Sequence, residues 1–522
     1  MKQTQVNHRD HAEAAERRAP GDAADDDADA AARRVVRSPS DAEAAEYWTE
    51  ERVAAEQRRS LETNIWEEGP ADEFNFQWRV RENEPLRLFD IKCGTINKLV
   101  EHLCQPWPKN RLLKELEIFA HGFMVTYQSF ITPEQLLSKL FERFNPSPSE
   151  SKEAARGSIY RKHSEDMYFI GMRKSVLRYL GLWLRKRFQD WTPEMLNDLD
   201  HFLRDTPFAI DPALKDSVRY LRRLLDRKLS QGTYVNMFGS GKELHDPPRS
   251  EVPACGWENV RSILDIPPLE FARQLCIYDY AIYDEIQPYE FFDLAWSKPR
   301  LHYRAPNLIQ LKNHFNQLSR KVAGCLLSTD RILDRTLTLK WLIALCHELC
   351  TLQNFHSMYA VLCALDSSSI YRLRVTWSSL SKRHLAMLSK MKTIMSSDKS
   401  FQNFRNLTST MKPPAIPFLG ITLTDLTFIQ DGNPPHIRGM INFYKRFLEY
   451  EVIESCLRYQ HRCYDLVMVP QFLPFYEKLT VYSESAMYER SIRLEPKDKK
   501  LLEQVVRQDR RRLLEEELQL SL

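Results

Sequence analysis

Glycine is scarce in this sequence: 15 residues in 522, well under the roughly 7% usual in proteins. Sheet sandwiches and phosphate-cradling loops need glycine at their tight turns, so the scarcity points to a mostly helical chain. Long apolar runs are missing too. No stretch of about 18 apolar residues occurs, and the opening residues lack the apolar core of a secretory signal. Met1-Lys2-Gln3 is no myristoylation signal, and the closing Gln519-Leu520-Ser521-Leu522 carries no prenylatable cysteine. The expectation is a cytoplasmic protein with no integral membrane segment, whose recruitment to a membrane would be indirect, through a partner.

An excess of one charge sign is also absent. Lys plus Arg number 74 against 71 Asp plus Glu, a formal net charge of +3. That is too little to mark a polyanion-binding face, so nucleic acid is not an expected partner. The run Arg507–Arg512 reads as the solvated face of a tail helix. The ten cysteines are scattered rather than framed as a disulfide scaffold, which fits free thiols in a reducing compartment.

Signatures of covalent chemistry are missing as well. Phe238-Gly239-Ser240-Gly241-Lys242 has the look of a phosphate loop, but Asn236 stands five before Gly241 and Glu243 follows Lys242. The pattern fails at both ends and no apolar strand leads in, so the run is read as linker. Cys346 and Cys350 share a helix face around His347 and Glu348, yet zinc needs further ligands at suitable spacing, and Cys456, His461 and Cys463 do not supply a matching half. Buried thiols in a helical core are the better account. No nucleophile elbow, HExxH or catalytic cysteine context occurs. The sequence predicts no metal site and no cofactor.

Helical periodicity is present, in two blocks. Residues 1–60 are rich in Ala, Asp, Glu and Arg and hold too little apolar surface to offset chain entropy; they read as disordered, with a helical tail as the lesser alternative. Residues 61–85 gain Trp66, Phe74, Phe76 and Trp78 and read as a connecting segment that packs on the first helical block. From 86 to 229 a bundle of four or more helices is expected. Ile96, Leu99, Val100 and Leu103 fall on one helix face, Thr132-Pro133-Glu134-Gln135 is a capping box before Leu136, Leu137, Leu140, Phe141 and Phe144, and Val176, Leu180, Trp183 and Leu184 repeat the pattern. Asn145–Glu165 is polar and reads as a loop; Asp211-Pro212 opens a last helix with Val218, Leu221 and Leu225. Residues 230–262, with clustered Gly and Pro, read as a linker. Residues 263–496 form a second, larger helical domain, and 497–522 a charged C-terminal helix.

The most informative stretch runs from Pro413 to Pro434. Pro413, Pro414 and Pro417 stop any preceding helix, and Gly432-Asn433-Pro434 is a strong stop for the segment between, with Gly432 suited to the left-handed position after a helix. On a helix there, Thr424, Thr427 and Asp431 share one face. Asp431 would then sit at the carboxyl end, where the helix dipole disfavours an anion by a few tenths to ~1 kcal/mol. Capping the Asp-Gly-Asn turn is one reason for it. The next segment, Met440-Ile441, Tyr444, Phe447-Leu448, Val452 and Cys456, reads as a long amphipathic helix, and the two together make a helical hairpin.

At this point the sequence resembles the Ras-type guanine-nucleotide exchange factors. The resemblance covers Ile263-Leu264-Asp265 with Phe271–Leu275, Tyr283 through Gln287-Pro288 to Phe292 and Trp296, Pro306-Asn307, and His314-Phe315-Asn316. It continues through Asn354-Phe355, Ala364–Leu373, Lys399–Arg405, the Pro413–Pro434 stretch and Arg490–Pro496. The 86–229 block is similar to the Ras exchanger motif domain that usually precedes that catalytic domain, notably at Ile91–Thr95, Phe123–Tyr127 and Phe130–Thr132.

The resemblance implies an all-α protein whose helical hairpin enters a Ras, Rap or related small GTPase, displaces magnesium and opens switch I, with no covalent chemistry. Thr427 falls where the family places the side chain that crowds the metal, and Asp431 where an acidic residue takes the hydrogen bond of the phosphate-loop serine. Phe418 and Thr424 fall where the hairpin is shaped and seated. Asp366, Tyr371 and Phe401 fall at positions touching the switch region, and Trp296, Phe315 and Asn316 join the expected GTPase-binding set. Two residues depart from the commoner pattern: Asp431 stands where Glu is frequent and Asp366 where Asn is. Either change would retune partner choice or weaken activity, and the alternative reading is a GTPase-binding scaffold that does not accelerate exchange.

Overall fold

A computed structural model describes residues 50–79, 87–106, 112–145, 159–205, 212–230 and 247–520. Residues 1–49 and, within the expected linker, residues 231–246, which include the 238–242 run, lie outside the described residues.

The first block is α1 (Glu50–Glu62), β1 (Phe76–Trp78), β2 (Ile91–Gly94), α2 (Ile96–Leu103), α3 (Leu112–Thr126), α4 (Pro133–Phe144), α5 (Ile159–Lys186), α6 (Pro193–Asp205) and α7 (Lys215–Ser230). The capping box forms as expected: Thr132 Oγ1 accepts from Gln135 N, and Gln135 Oε1 accepts from Thr132 N. The expected apolar stripes meet in one core, with Leu99, Leu136, Leu140, Leu180 and Trp183 fully buried. The second block is α8 (Pro268–Asp284), α9 (Pro306–Leu327), α10 (Ile332–Thr351), α11 (Phe355–Asp366), α12 (Ser368–Tyr371), α13 (Arg374–Ser378), α14 (Lys382–Ile394) and α15 (Asp398–Thr410). It continues with α16 (Leu419–Gly432), β3 (His436–Ile437), β4 (Met440–Ile441), α17 (Phe443–Leu457), α18 (Phe472–Glu477), α19 (Glu484–Leu494) and α20 (Lys499–Leu520). Helices α8, α9, α10 and α11 pack on one another around the larger core. Among the described residues, no helix is long and apolar enough to cross a membrane.

The structure corrects several expectations. Residues 50–60, expected to end a disordered tail, form α1 together with the first two residues of the connecting segment. Its Ala, Glu, Gln and Arg are strong helix formers, and the helix gains packing by lying on α2, burying Ser60. Helix α5 starts at Ile159, inside the expected loop. In the connecting segment Trp66, Phe76 and Trp78 pack on the bundle core, but Phe74 is exposed. Cys346 is buried as expected, whereas Cys350 is only half-buried.

The chain is mostly helical rather than wholly so. A small antiparallel sheet runs in the order β1-β2-β4-β3, with Gly94 of β2 opposite Ile441 of β4. Met440-Ile441 is therefore a strand, and the second hairpin helix begins only at Phe443. The sheet joins the two blocks. Ile441 and Phe443 are buried within the core of the first block, and the Phe443 ring lies 4.9 Å from Phe119 and 6.3 Å from Phe123. Phe447 stacks on Phe89 at 5.4 Å, and the Arg79 guanidinium sits 3.9 Å over the Tyr444 ring. A second contact is polar: Gln189 Nε2 donates to Gln287 Oε1 at 2.6 Å. Replacing Phe443 by alanine is expected to destabilise the chain by about 3–5 kcal/mol, since a fully buried aromatic is removed from a packed core. A lower thermal midpoint, with faster amide exchange along Ile91–Gly94, is the measurement that checks it.

Candidate functional site

The hairpin is built by α16 and α17, which pack along each other, with the 433–442 connection folded as β3–β4. The approach to α16 bends at Pro413 and Pro414 and then passes Ile416 and Pro417. There Ile416 pairs with the backbone beside Asn354: Phe355 N donates to Ile416 O at 2.9 Å, and Ile416 N donates to Gln353 O at 3.0 Å. The end of α16 differs from expectation. Gly432 is the last helical residue and does not take a left-handed conformation; Asn433 is the C-cap, and its Nδ2 donates to Ile429 O at 3.0 Å. A side-chain amide satisfies a terminal carbonyl, so the left-handed turn is not needed.

Helix α16 buries Leu419, Ile421, Thr422 and Leu426. Thr424, Phe428 and Asp431, at steps of four and three, lie exposed on its outer face. Phe428 is 65% exposed, a large apolar ring left in water at the hairpin. Thr427 is half-buried beside this face. The hydroxyls of Thr424 and Thr427 donate to Gly420 O and Leu423 O, each at 2.8 Å, which leaves the helix surface there without free donors. Asp431 is exposed and has no hydrogen bond or ion pair among the described residues.

Phe418 is the residue before α16, and its ring folds back over Gly420. A Cβ at Gly420 would lie 2.2 Å from that ring, so glycine is required for this approach. The Phe418 ring lies 4.5 Å from Tyr359 and 5.6 Å from Phe315, with Phe401 at 6.5 Å. Three of the sequence-predicted residues, Phe315, Phe401 and Phe418, are thus brought together. Phe401 reaches this cluster through a strained turn: Lys399, Ser400 and Phe401 have φ of 47°, 55° and 62°, each unfavourable by about 1–3 kcal/mol for a residue other than glycine. Arg405 then ties α15 to α16 with two parallel bonds of 2.8 Å to Asp425, and the bond to that carboxylate raises the pKa of its guanidinium.

The remaining predicted residues divide. Asn316 is exposed on α9 beside Phe315. Asp366 ends α11, where the dipole disfavours an anion, and pairs with Lys392 of α14. Lys392 lines an open depression of about 450 Å³ with Leu385, Leu388, Thr393, Asp398 and Asn403. Tyr371, at the end of α12, is 69% exposed. Trp296 is the exception. It is only 5% exposed and packs in the core near Phe291, because the turn at 288–294 folds inward beneath α16. Sequence reasoning misses Phe428 and Tyr359. The step of four from Thr424 is the available signal for Phe428. Tyr359 sits in a stripe that reads wholly as core.

Comparison with known families matches residues 90–202 to the RasGEF N-terminal motif and residues 270–447 to the RasGEF domain. Among curated proteins, Ras guanine nucleotide exchange factor J of Dictyostelium discoideum is 30% identical over 419 residues, covering 78% of this chain and 48% of that protein. Ras guanine nucleotide exchange factor A of the same organism is 30% identical over 424 residues, covering 78% of this chain and 66% of that protein. Protein son of sevenless of Drosophila melanogaster is 26% identical over 450 residues, covering 80% and 27% respectively. The chain spans about half the length of the first of these relatives.

Proposed function

We propose that this chain, a member of the Ras-type guanine-nucleotide exchange factor family with both the RasGEF N-terminal motif and the RasGEF domain, releases GDP from a Ras-family small GTPase by inserting its α16–α17 hairpin. One observation carries the reading. The hairpin is clamped to the first block where its two helices join, by Ile441, Phe443 and the β2–β4 pairing, while the face bearing Thr424, Phe428 and Asp431 is left exposed. An inserting hairpin must be held stiff against the rest of the fold and left unoccupied on its working face.

In this reading Thr427 and its neighbours crowd the GTPase's magnesium ion, which bridges phosphate and protein oxygens. Displacing that ion removes the largest charge neutralising the nucleotide, and Asp431 takes up the serine hydroxyl the metal releases. The aromatic cluster of Phe315, Tyr359, Phe401 and Phe418 seats the base of α16 and, with Asn316, Asp366 and Tyr371, offers a surface for the switch region. The acceleration comes from stabilising the nucleotide-free complex, an instance of differential binding. The units 86–229 and 263–496 then act as brace and exchange domain, joined by the linker at 230–262 and followed by a charged tail helix.

Release of a fluorescent GDP analogue from a panel of Ras, Rap and Ral GTPases tests this. Acceleration is expected for one or two of them. A chain that binds nucleotide-free GTPase yet accelerates release from none would instead be a scaffold with this fold.

A further inference from the structure

Net charge averaged over the chain hides a local excess. Helix α7 holds six basic side chains against two acidic, and α5 seven against two, whereas the whole chain is only +3. The rest of the molecule is therefore net negative. The two helices pack side by side, and they approach closely at Gly181, where an added Cβ would meet Leu221 and Tyr220 at 3.6 Å.

That approach fixes what faces outward. Lys174, Arg178 and Arg185 share a stripe of α5 with Gly181, at steps of three and four, and all three are exposed. On α7, Arg223 and Arg227 follow Tyr220 at the same steps and are exposed as well. The Tyr220 ring, 53% exposed, thus stands among arginines of both helices. The carboxylates of α7 do not neutralise them. Asp216 accepts from Arg219 at 3.1 Å, and Asp226 lies about a third of a turn round the helix from Tyr220. Arg185 donates to the backbone oxygen of Gly181 at 3.3 Å, and neither it nor Arg223 nor Arg227 has an ion pair among the described residues.

Arg223 and Arg227 stand one turn apart and repel each other, which an anionic partner relieves. The charge is also spread out: Lys174 and Arg185 lie about 16 Å apart along α5. Such a face suits a surface of many anionic groups more than a single ligand. An exposed tyrosine among lysines and arginines is the composition of a helix face that rests at the level of lipid headgroups. We propose that the α5–α7 face docks this chain directly on an anionic lipid surface, with the arginines on the headgroups and Tyr220 between them. The proposal does not rest on the exchange reading above.

The test is co-sedimentation of the full chain with two kinds of vesicle: phosphatidylcholine alone, and equal parts phosphatidylcholine and phosphatidylserine. Binding is expected to the anionic vesicles only, fading as added salt shortens the screening length. Arg185→Gln, Arg223→Gln and Arg227→Gln combined should weaken it about a hundredfold, roughly fivefold for each charge. The matching lysine variant keeps the charge and should bind within about twofold of wild type. Both should keep the thermal midpoint, since glutamine and lysine are good helix formers at exposed positions. A control with Arg510, Arg511 and Arg512 of α20 changed to glutamine should bind like wild type. Binding that survives the triple glutamine variant, or is lost in the α20 control instead, overturns the proposal. A wild type that ignores both vesicles overturns it too; retention of that protein on immobilised polyglutamate through the same three arginines would make the occupant an acidic macromolecule. Vesicle binding is read without any GTPase, so a failure of the exchange reading leaves this result intact.

Discussion

Asp431→Ala is expected to slow GDP release from the responsive GTPase by roughly 10- to 100-fold while leaving the thermal midpoint of the free chain within about a degree. Asp431 is exposed in the last turn of α16, and its carboxylate has no hydrogen bond or ion pair among the described residues, so removing it breaks nothing in the fold. Its unfavourable place against the helix dipole even predicts a small gain in stability, a few tenths of a kcal/mol. In the proposed nucleotide-free complex the same carboxylate would accept a charge-assisted hydrogen bond, about 1.5–3 kcal/mol in such contacts, and the expected fold-change is the loss of that bond in the transition state. Stopped-flow release at saturating exchange factor reads it directly. Undiminished acceleration by the variant would keep the exchange function and remove Asp431 from it. A fall in stability would mean that the residue caps the turn after all.

The largest expected effect on stability lies at Asp279. Its carboxylate is fully buried on α8; Oδ1 lies 2.7 Å from His314 Nδ1, and Oδ2 accepts from Asn354 Nδ2 at 2.6 Å and Ser357 Oγ at 2.5 Å. His314 Nε2 in turn lies 2.9 Å from the Tyr476 hydroxyl, so the network links α8, α9, α11 and α18. Asp279→Ala strands several buried polar groups at once and should cost about 3–5 kcal/mol, seen as a large drop in thermal midpoint. Function should suffer as well, because Asn354 sits where the approach to α16 pairs with α11.

The pH dependence has a definite sign. Burial works against the Asp279 charge, but His314, His356 and Ser357 outweigh it and hold its pKa below the ordinary value. Its stabilisation is therefore present above the ordinary carboxylate range and lost as pH falls through the lowered folded value. His356 adds to the acid side. Burial lowers its pKa from 6.5 to about 4, so between those values the unfolded chain binds the extra proton and stability falls with falling pH. Unfolding midpoints that do not decline between about pH 6.5 and about pH 4 would count against the His356 assignment, whereas the Asp279 loss belongs below the ordinary carboxylate range.

How much is legible in the sequence varies by element. The capping box at Thr132 and the stripes of α2, α4 and α5 are local statements: neighbours three and four residues apart either share a face or do not, and sequence spacing reads that directly. Met440-Ile441 shows the limit. Two apolar residues beside a helical pattern look like its first turn, and only pairing with Gly94, far away in the chain, makes them a strand. Gly432 reads as a left-handed stop because the amide of Asn433, which closes the helix instead, competes only once the turn is built. Trp296 looks like a surface aromatic by its place in a motif, and the inward fold of the 288–294 turn puts it in the core. Asp279, His314, Asn354 and Ser357 give no signal as a set, since their separations in sequence show no periodicity.

The sequence alone determined the class and the order of parts: helical by its scarcity of glycine, divided into two blocks, with the Pro413–Pro434 stretch marking the hairpin and Thr424, Thr427 and Asp431 marking one side of it. Those features depend on composition and short-range spacing. Tertiary structure decided the rest: that the first block clamps the hairpin through a shared sheet and Phe443, that Phe428 is exposed, and that Asp279 is buried among His314, Asn354 and Ser357. Burial and pairing between distant segments arise from which surfaces exclude water together, and no local pattern encodes that choice.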